Sequence, residues 1–425
     1  MTTTTTPSSR NRLVLILLVG LIAIMLVVNV VASHEFLTEP FPGFNDYATP
    51  WEAARSFFYE GVDPYSAQAS LNIQTLLYGG PATSDQQPNH YAYPFYTLAV
   101  AWPLIHIEYA WATAIWLVVS ESLLIGALAL LLMAYQWRPS PLVLVALVLV
   151  SLLSYPGARG LILGQVSHLV YFLLAALVWS LARSKNWLAG FILALTTLKP
   201  QLSVFVVAFV VLWALMSRRW SLLGALALTM AVLIGMSFLL LPGWVGGFVD
   251  QLLLYPSYIE VSTPAQVVSW LFGGAARPVE LILNVVGLVL LVVTWWQLLI
   301  SRHSERFAWT LMLTLVMSQL IGLRTATPHF VVLLIPLIWY FKMLDRQGRN
   351  LWTLLILLGI FLLPWIQFVL TVDGRQENPW MFVPLPFVML ILLLATRRAW
   401  WKDGSLNPPA VGKAAALPHD RHPSS

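Results

Sequence analysis

Residues 10–32 read RNRLVLILLVGLIAIMLVVNVVA: two arginines, Arg10 and Arg12, and then twenty residues, Leu13–Ala32, without a charge. Twenty helical residues cover about 30 Å, the thickness of a bilayer's hydrocarbon core. A cleaved signal peptide has a shorter apolar region, so the segment reads as a retained signal-anchor. The same pattern then recurs along the chain. Thirteen apolar stretches can be marked, each ended by charge, proline or glycine, and the last is Met381–Thr396. Three of them are short: Ala92–His106, Trp187–Leu198 and Pro328–Phe341.

The composition of the whole chain agrees. Of its 425 residues 59% are hydrophobic and only 10% are charged. A soluble globule of this length could not hide so much apolar surface, so lipid has to serve as solvent. There is no cysteine, which excludes a disulfide framework, thiolate metal sites and a cysteine nucleophile. The net charge of +5 does not indicate nucleic acid, because in a membrane protein basic residues first report orientation.

Clusters at Arg10/Arg12, Arg183/Lys185, Arg218/Arg219, Arg302/Arg306, Lys342/Arg346/Arg349 and Arg397/Arg398/Lys402 all belong inside by the positive-inside rule. Alternate segments counted back from the C-terminus satisfy every cluster, and Arg138 too. Both termini then lie in the cytoplasm, which demands an even number of crossings. The fold expected is an all-α polytopic bundle of about twelve crossings, with Ala92–His106 re-entering or half-spanning the membrane. Residues 1–12 are expected to be a disordered cytoplasmic leader, 13–398 the transmembrane domain, and 399–425 a disordered cytoplasmic tail.

Three connections fall outside. The first, Ser33–Tyr91, carries seven acids (Glu35, Glu39, Asp46, Glu52, Glu60, Asp63, Asp85) against one base, Arg55. Within it, Pro50–Glu60 and Ala69–Tyr78 have the aromatic-rich helical spacing of segments that lie on a membrane surface. The second, Pro242–Glu280, is rich in Gly, Tyr and Trp, and the third is the short Thr371–Pro379. No repeat or inverted pair of halves stands out.

Basic residues outside are the exceptions to this rule, and they are Arg55, Arg159, Lys199, Arg277, Arg324 and Arg375. Three interrupt apolar sequence: Arg159 in Pro156-Gly-Ala-Arg-Gly160, Lys199 in Thr197-Leu-Lys-Pro-Gln201, and Arg324 in Gly322-Leu-Arg-Thr-Ala-Thr-Pro-His329. A cation so placed needs an anionic partner or a wet cavity. Snorkelling or a structural ion pair would explain any one of them; three on one leaflet point to an anion site. Asp46 lies in Gly43-Phe-Asn-Asp-Tyr47, where a carboxylate at the lipid–water boundary can act as general base toward a hydroxyl, although acids in an acidic loop are usually just solvated. Glu121, in the middle of an apolar helix, reads as an interhelical hydrogen-bond partner. His329, after Pro328, suits either a ligand or a helix cap. His34, His90 and His106 lack metal-ligand spacing, and no Walker A, dinucleotide-binding or nucleophile-elbow motif is present.

At this point the order of landmarks resembles a family. Asp46-Tyr-Ala-Thr-Pro-Trp-Glu-Ala-Ala54 followed by Glu60-Gly-Val-Asp-Pro-Tyr65 is similar to the first-loop signature of polytopic GT-C glycosyltransferases, specifically the bacterial glycosyltransferase family 87 type. Tyr91-Ala-Tyr-Pro-Phe95 resembles that family's aromatic-proline stretch. Gly164-Gln-Val-Ser-His168 resembles its Gly-Gln-hydrophobic-Asn segment, with Ser in place of Asn. Trp187-Leu-Ala-Gly190 with Thr197-Leu-Lys-Pro-Gln-Leu202 resembles its most recognisable internal motif. The stretch Arg324–His329 matches only loosely a region where relatives carry a His pair.

The resemblance implies a GT-C-like fold whose first outer loop, 33–91, is catalytic. It implies transfer of one sugar, usually mannose, from a polyprenyl-phosphate sugar to a lipid or glycan hydroxyl at the non-cytoplasmic face of the cell membrane, in the making of the cell envelope. Asp46 takes the part of general base. Lys199, Arg324 and Arg159 are the candidates for the departing phosphate, and Gln165, His329, Tyr65 and Tyr93 for substrate contacts. No cofactor is expected, a divalent metal being left open; the partners are donor, acceptor and membrane lipids, with no nucleic acid. The rival class is a polytopic transporter or flippase of a lipid-linked or anionic substrate, which also uses broken helices and intramembrane charge.

Overall fold

A computed structural model describes residues 9–41, 46–84, 86–254, 257–258, 263–301, 304–321, 324–374 and 377–406. Residues 1–8 of the expected leader, Asp85, Arg302, Arg375 and the tail from 407 lie outside them. Among the described residues the regular elements are all helices, as the run of apolar stretches predicts. In chain order the helices are α1 (Ser9–Ser33), α2 (Ala48–Glu60), α3 (Ala67–Tyr78), α4 (Tyr109–Ala134), α5 (Pro141–Leu153), α6 (Tyr155–Ile162), α7 (Ser167–Ala182), α8 (Asn186–Leu195) and α9 (Pro200–Met216). There follow α10 (Trp220–Leu240), α11 (Trp244–Leu254), α12 (Pro264–Ser269), α13 (Ala276–Ser301), α14 (Phe307–Leu320), α15 (Leu334–Arg346), α16 (Asn350–Thr371) and α17 (Pro384–Lys402).

Among the described residues seven helical spans are long and apolar enough to cross a membrane, or eight if α5 and α6, bent by 46° at Ser154, count as one. Six shorter apolar helices of 10–17 residues accompany them. The chain is a polytopic helical membrane protein, and twelve crossings would require four of these six to cross as well. Phe95–Leu104 is among the short ones. It is a 3-10 turn, one α turn and a second 3-10 turn, about 15 Å in all and too short to span.

Contacts divide the chain into two units. The first comprises residues up to Tyr91, Leu98–Ser122 and Leu161–Gly164. Here α1 is almost wholly exposed along its apolar length, as a helix bathed in lipid would be. Its exit is pinned. A π-helical turn, His34–Thr38, stacks the His34 ring on Trp111 with centroids 3.6 Å apart, and Thr38 Oγ1 donates to the Ala110 carbonyl at 2.7 Å. Within the helix Asn29 Nδ2 donates to Glu121 at 2.5 Å, the interhelical bond read for that acid. Both loop segments expected to be helical are helices: α2 buries Trp51, Ala53 and Ala54, and α3 is capped by Ser66, whose hydroxyl accepts from Ala69 N.

The second unit comprises Ala92–Thr97, Leu123–Gly160 and everything from Gln165. Its core is α14, buried at every one of its 14 residues, with α9, α13 and α17 packed around it. Polar side chains join these helices where no water competes: Trp295 Nε1 donates to Thr314 Oγ1 at 2.8 Å and Trp309 Nε1 to the Leu393 carbonyl at 2.9 Å. Helices α8 and α10 pack closely. A Cβ on Gly190 would stand 2.1 Å from the Leu222 carbonyl, so only glycine allows this approach.

The C-terminal end departs from expectation. The last helix continues to Lys402, and Asp403–Leu406 is packed rather than disordered. Buried Lys342 donates to Asp403 Oδ2 at 2.6 Å, Trp339 donates to the same oxygen at 2.8 Å, Trp339 stacks on Trp400, and Leu406 is buried. Burial alone would raise the Asp403 carboxyl, but the hydrogen bond and charge of Lys342 outweigh it and hold that group below its ordinary range. An apolar residue four places past the helix, reached through an acid that a buried lysine needs, keeps 399–406 packed.

Candidate functional site

The expected base, Asp46, stands in the turn that leads into α2 and is partly exposed. Its backbone N–H donates to the Leu163 carbonyl at 2.6 Å, and Tyr47 behind it is fully buried, its ring stacked 4.8 Å from Trp116. Trp116 Nε1 in turn donates to the Gly164 carbonyl at 2.9 Å. Gly164 has φ of +61°, a left-handed turn that other residues adopt only under strain. The carboxylate of Asp46 acts electrostatically on the hydroxyls of Tyr78 and Tyr109. Tyr78 is accordingly pushed up, by burial first and by Asp46 as a lesser cause, against a lowering hydrogen bond from Asn89.

The other loop acids have local duties. Asp63 Oδ1 accepts from Tyr65 N at 2.9 Å and shapes the entry to α3. Glu52 is buried, accepts from Ser56 Oγ at 2.8 Å and lies 3.7 Å from Arg55; burial raises its carboxyl above the ordinary value. Tyr65 is buried against Tyr91, ring centroids 5.5 Å apart. His90 Nδ1 lies 2.7 Å from Ser70 Oγ, and burial lowers its ring below the usual histidine range.

The cations are in the second unit. Lys199 sits between a 3-10 turn, Thr196–Leu198, and α9, in extended conformation with φ of −135° and ψ of 83°. Pro200 enforces the break: it disfavours helical backbone at the residue before it and supplies the first residue of the next helix. The carbonyl left over at Thr196 is taken by Ser203 Oγ at 2.8 Å. Lys199 is only 2% exposed, which rules out the snorkelling reading. Its Nζ donates to Gln165 Oε1 at 2.5 Å and lies 5.8 Å from the ring centre of Tyr93. Two buried histidines, His168 and His329, are within its electrostatic reach.

His329 has the capping role at one nitrogen. Nδ1 accepts from Ala326 N at 3.0 Å, which places the ring proton on Nε2. His168, which follows Gln165 by three residues on the first turn of α7, was not among the expected residues; its ring is fully buried against Gly160. The signal for it lay in its own motif, Gly164–His168.

Arg159 and Arg324 differ from Lys199 in setting. Arg159 Nε is 3.9 Å from Glu377 Oε1, and its guanidinium lies over the Phe368 ring. Glu377 also accepts from the Tyr155 hydroxyl and from Thr327 Oγ1 at 2.7 Å, so one carboxylate holds the start of α6 and the turn bearing His329. This acid escaped the sequence reading, since an acid in a short polar loop looks solvated; the hint was an intramembrane arginine in want of a partner. Arg324 is partly exposed in the irregular segment before Thr327. Lys199, Gln165, Tyr93, His168 and His329 thus form one cluster, and Arg159, Tyr155, Thr327 and Glu377 a second, joined through the short stretches 159–160 and 327–329. Among the described residues no three His, Asp or Glu side chains are grouped to hold a metal ion.

No curated protein and no solved structure matches the chain. A family model does, over residues 91–321, more than half of the length. That span takes in the aromatic-proline stretch, the Gly164–His168 segment, Gly190 and the Lys199 junction; Asp46 and the Arg324–His329 stretch lie beyond its two ends. With a buried lysine at a proline-broken junction in the matched span of an all-helical membrane chain, the protein belongs to glycosyltransferase family 87.

Proposed function

We propose that this membrane glycosyltransferase moves one sugar, a mannose, from a polyprenyl-phosphate sugar to a hydroxyl of a lipid or glycan acceptor on the non-cytoplasmic face of the cell membrane. The acceptor hydroxyl attacks the anomeric carbon, its proton passes to Asp46, and the bond from that carbon to the phosphate oxygen breaks with its electron pair. One acceptor–sugar bond forms with inversion, and polyprenyl phosphate leaves. The observation that carries this reading is Lys199: a cation desolvated to 2% exposure, held at 2.5 Å by an amide oxygen. A buried ammonium already oriented by an amide oxygen is a ready donor to an anion. Charge develops on the leaving phosphate during transfer, and a fixed, pre-oriented donor favours that state over the bound ground state. Gln165, His329 Nε2 and the Tyr93 face supply sugar or phosphate contacts, and Tyr65 a sugar contact in the loop. Arg159 and Arg324 make up the rest of the positive field, Arg159 through a charge it shares with Glu377.

The test is reconstitution of the protein in vesicles with radiolabelled polyprenyl-phosphate sugars and a crude lipid acceptor pool. Label should move to an acceptor with inverted configuration and release polyprenyl phosphate. Movement of intact donor across the bilayer without transfer would establish the flippase reading instead.

A further inference from the structure

At the far ends of α4 and α7, which the charge pattern assigns to the cytoplasm, lies a cavity of about 670 Å³ lined by Leu132, Met133, Gln136, Trp137, Arg138 and Arg183. The volume is that of an ordinary small-molecule site. Two of its six lining residues are arginines and none is acidic. Among the described residues neither arginine forms an ion pair. Arg183 uses one donor, Nη2, on the Met133 carbonyl at 3.2 Å, which caps the end of α4; a guanidinium has five. Asp345, the acid at the end of α15, is engaged by the buried Trp137 Nε1 at 2.6 Å and does not line the cavity. Both helix ends turn away through a non-glycine residue in left-handed backbone, Gln136 with φ of 52° and Ser184 with φ of 52°. That conformation is costly for such residues; at Gln136 it carries Arg138 past the end of α4, while Arg183 is itself the capping residue of α7, just before Ser184.

Part of the lining is apolar. Met133 is exposed and Leu132 half-exposed, one and two residues short of the end of a 26-residue span. Such a cavity offers hydrocarbon contact together with two guanidinium groups, at the end of a membrane helix.

We propose that Arg138 and Arg183 bind the phosphate of an anionic membrane lipid, with Gln136 as a neutral donor and Leu132 and Met133 against the lipid's glycerol and first methylenes. Planar guanidinium forks suit phosphate, and basic clefts between membrane helices on the cytoplasmic side favour acidic lipid. This site is separate from the sugar-transfer residues and does not depend on the reaction proposed for them.

The experiment is native mass spectrometry of the whole protein released from nanodiscs of mixed phosphatidylglycerol and phosphatidylcholine. Wild-type protein should retain one phosphatidylglycerol in preference to phosphatidylcholine by roughly tenfold or more, as expected for loss of one charge-assisted contact. Added salt should weaken the preference. The double variant R138Q/R183Q should lose it, while R138K/R183K, which keeps the charge, should retain part of it. Thermal melting of each variant separates a lost site from a lost fold. Equal retention of the two lipids by wild-type protein, or an undiminished preference in a folded R138Q/R183Q, overturns the proposal. Protection by inorganic pyrophosphate in pure phosphatidylcholine discs, with no preference among lipids, reassigns the site to a soluble polyanion and overturns the lipid assignment.

Discussion

Replacing Lys199 by methionine removes the charge and keeps nearly the volume, so it separates the two things a buried lysine can do. Lys199 is 2% exposed, and its ammonium is 2.5 Å from Gln165 Oε1. If the lysine is merely structural, its loss takes from a buried amide oxygen the shorter of two hydrogen bonds, the other coming from Ser167 Oγ at 3.5 Å, at about 1–3 kcal/mol. Against that stands relief from desolvating an ammonium, and buried charge replaced by apolar volume is often neutral or stabilising. Thermal stability of Lys199→Met should therefore change little or rise. Turnover should behave otherwise. Losing a charge-assisted contact to the departing phosphate should cost about 2–4 kcal/mol of transition-state stabilisation, or roughly thirty- to a thousandfold in rate. Lys199→Arg should rescue poorly, because a wider fork must enter a closed space built for a point charge. The assay is single-turnover transfer from labelled donor in nanodiscs, with a melting curve on each sample. Arg277→Ala, exposed at the start of α13, is the control and should keep its rate. Equal rates for Lys199→Met and Arg277→Ala would refute the reasoning and reduce Lys199 to an interior anchor.

Asp46→Asn should lower transfer by at least about a hundredfold with donor binding retained; a live Asp46→Asn beside a dead Asp63→Asn would move the base to another carboxylate. Glu52→Gln should make the melting temperature less dependent on pH. Burial raises the folded-state value of Glu52 above its unfolded one, so its contribution to stability is whole below the unfolded value and is lost as pH rises through the folded one. The glutamine variant escapes that loss, and a wild-type curve no steeper than the variant's would contradict it. Gly190→Ala sets a methyl 2.1 Å from the Leu222 carbonyl and should cost about 1–3 kcal/mol by forcing α8 and α10 apart, seen as a lower melting temperature. Single cysteines placed in this cysteine-free chain at Asp63 and Gly247 should react with an impermeant reagent from outside, and one at Ser184 only after permeabilisation.

The all-helical membrane architecture was readable from residue order alone, because in hydrocarbon every backbone group must be bonded within its own segment and the signal is local. The breaks were equally local: Pro200 at the Lys199 junction, Ser66 before α3 and Gly164 between α6 and α7 act on their neighbours through sterics and capping. Lys199 could be singled out because an intramembrane cation is costly wherever the chain folds. What that cation meets was not readable. Gln165 is 34 residues away, Glu377 reaches Tyr155 across 222 residues, and Lys342 finds Asp403 after 61. Those pairings follow from which helices pack together, and the apolar faces that decide it carry little positional information, since Leu, Val and Ile serve any neighbour. Residue order therefore determined the elements, their ends and the places where charge had to be compensated. Only tertiary packing decided the compensating partner, because a hydrogen bond acts over 3 Å of space with no regard for distance along the chain.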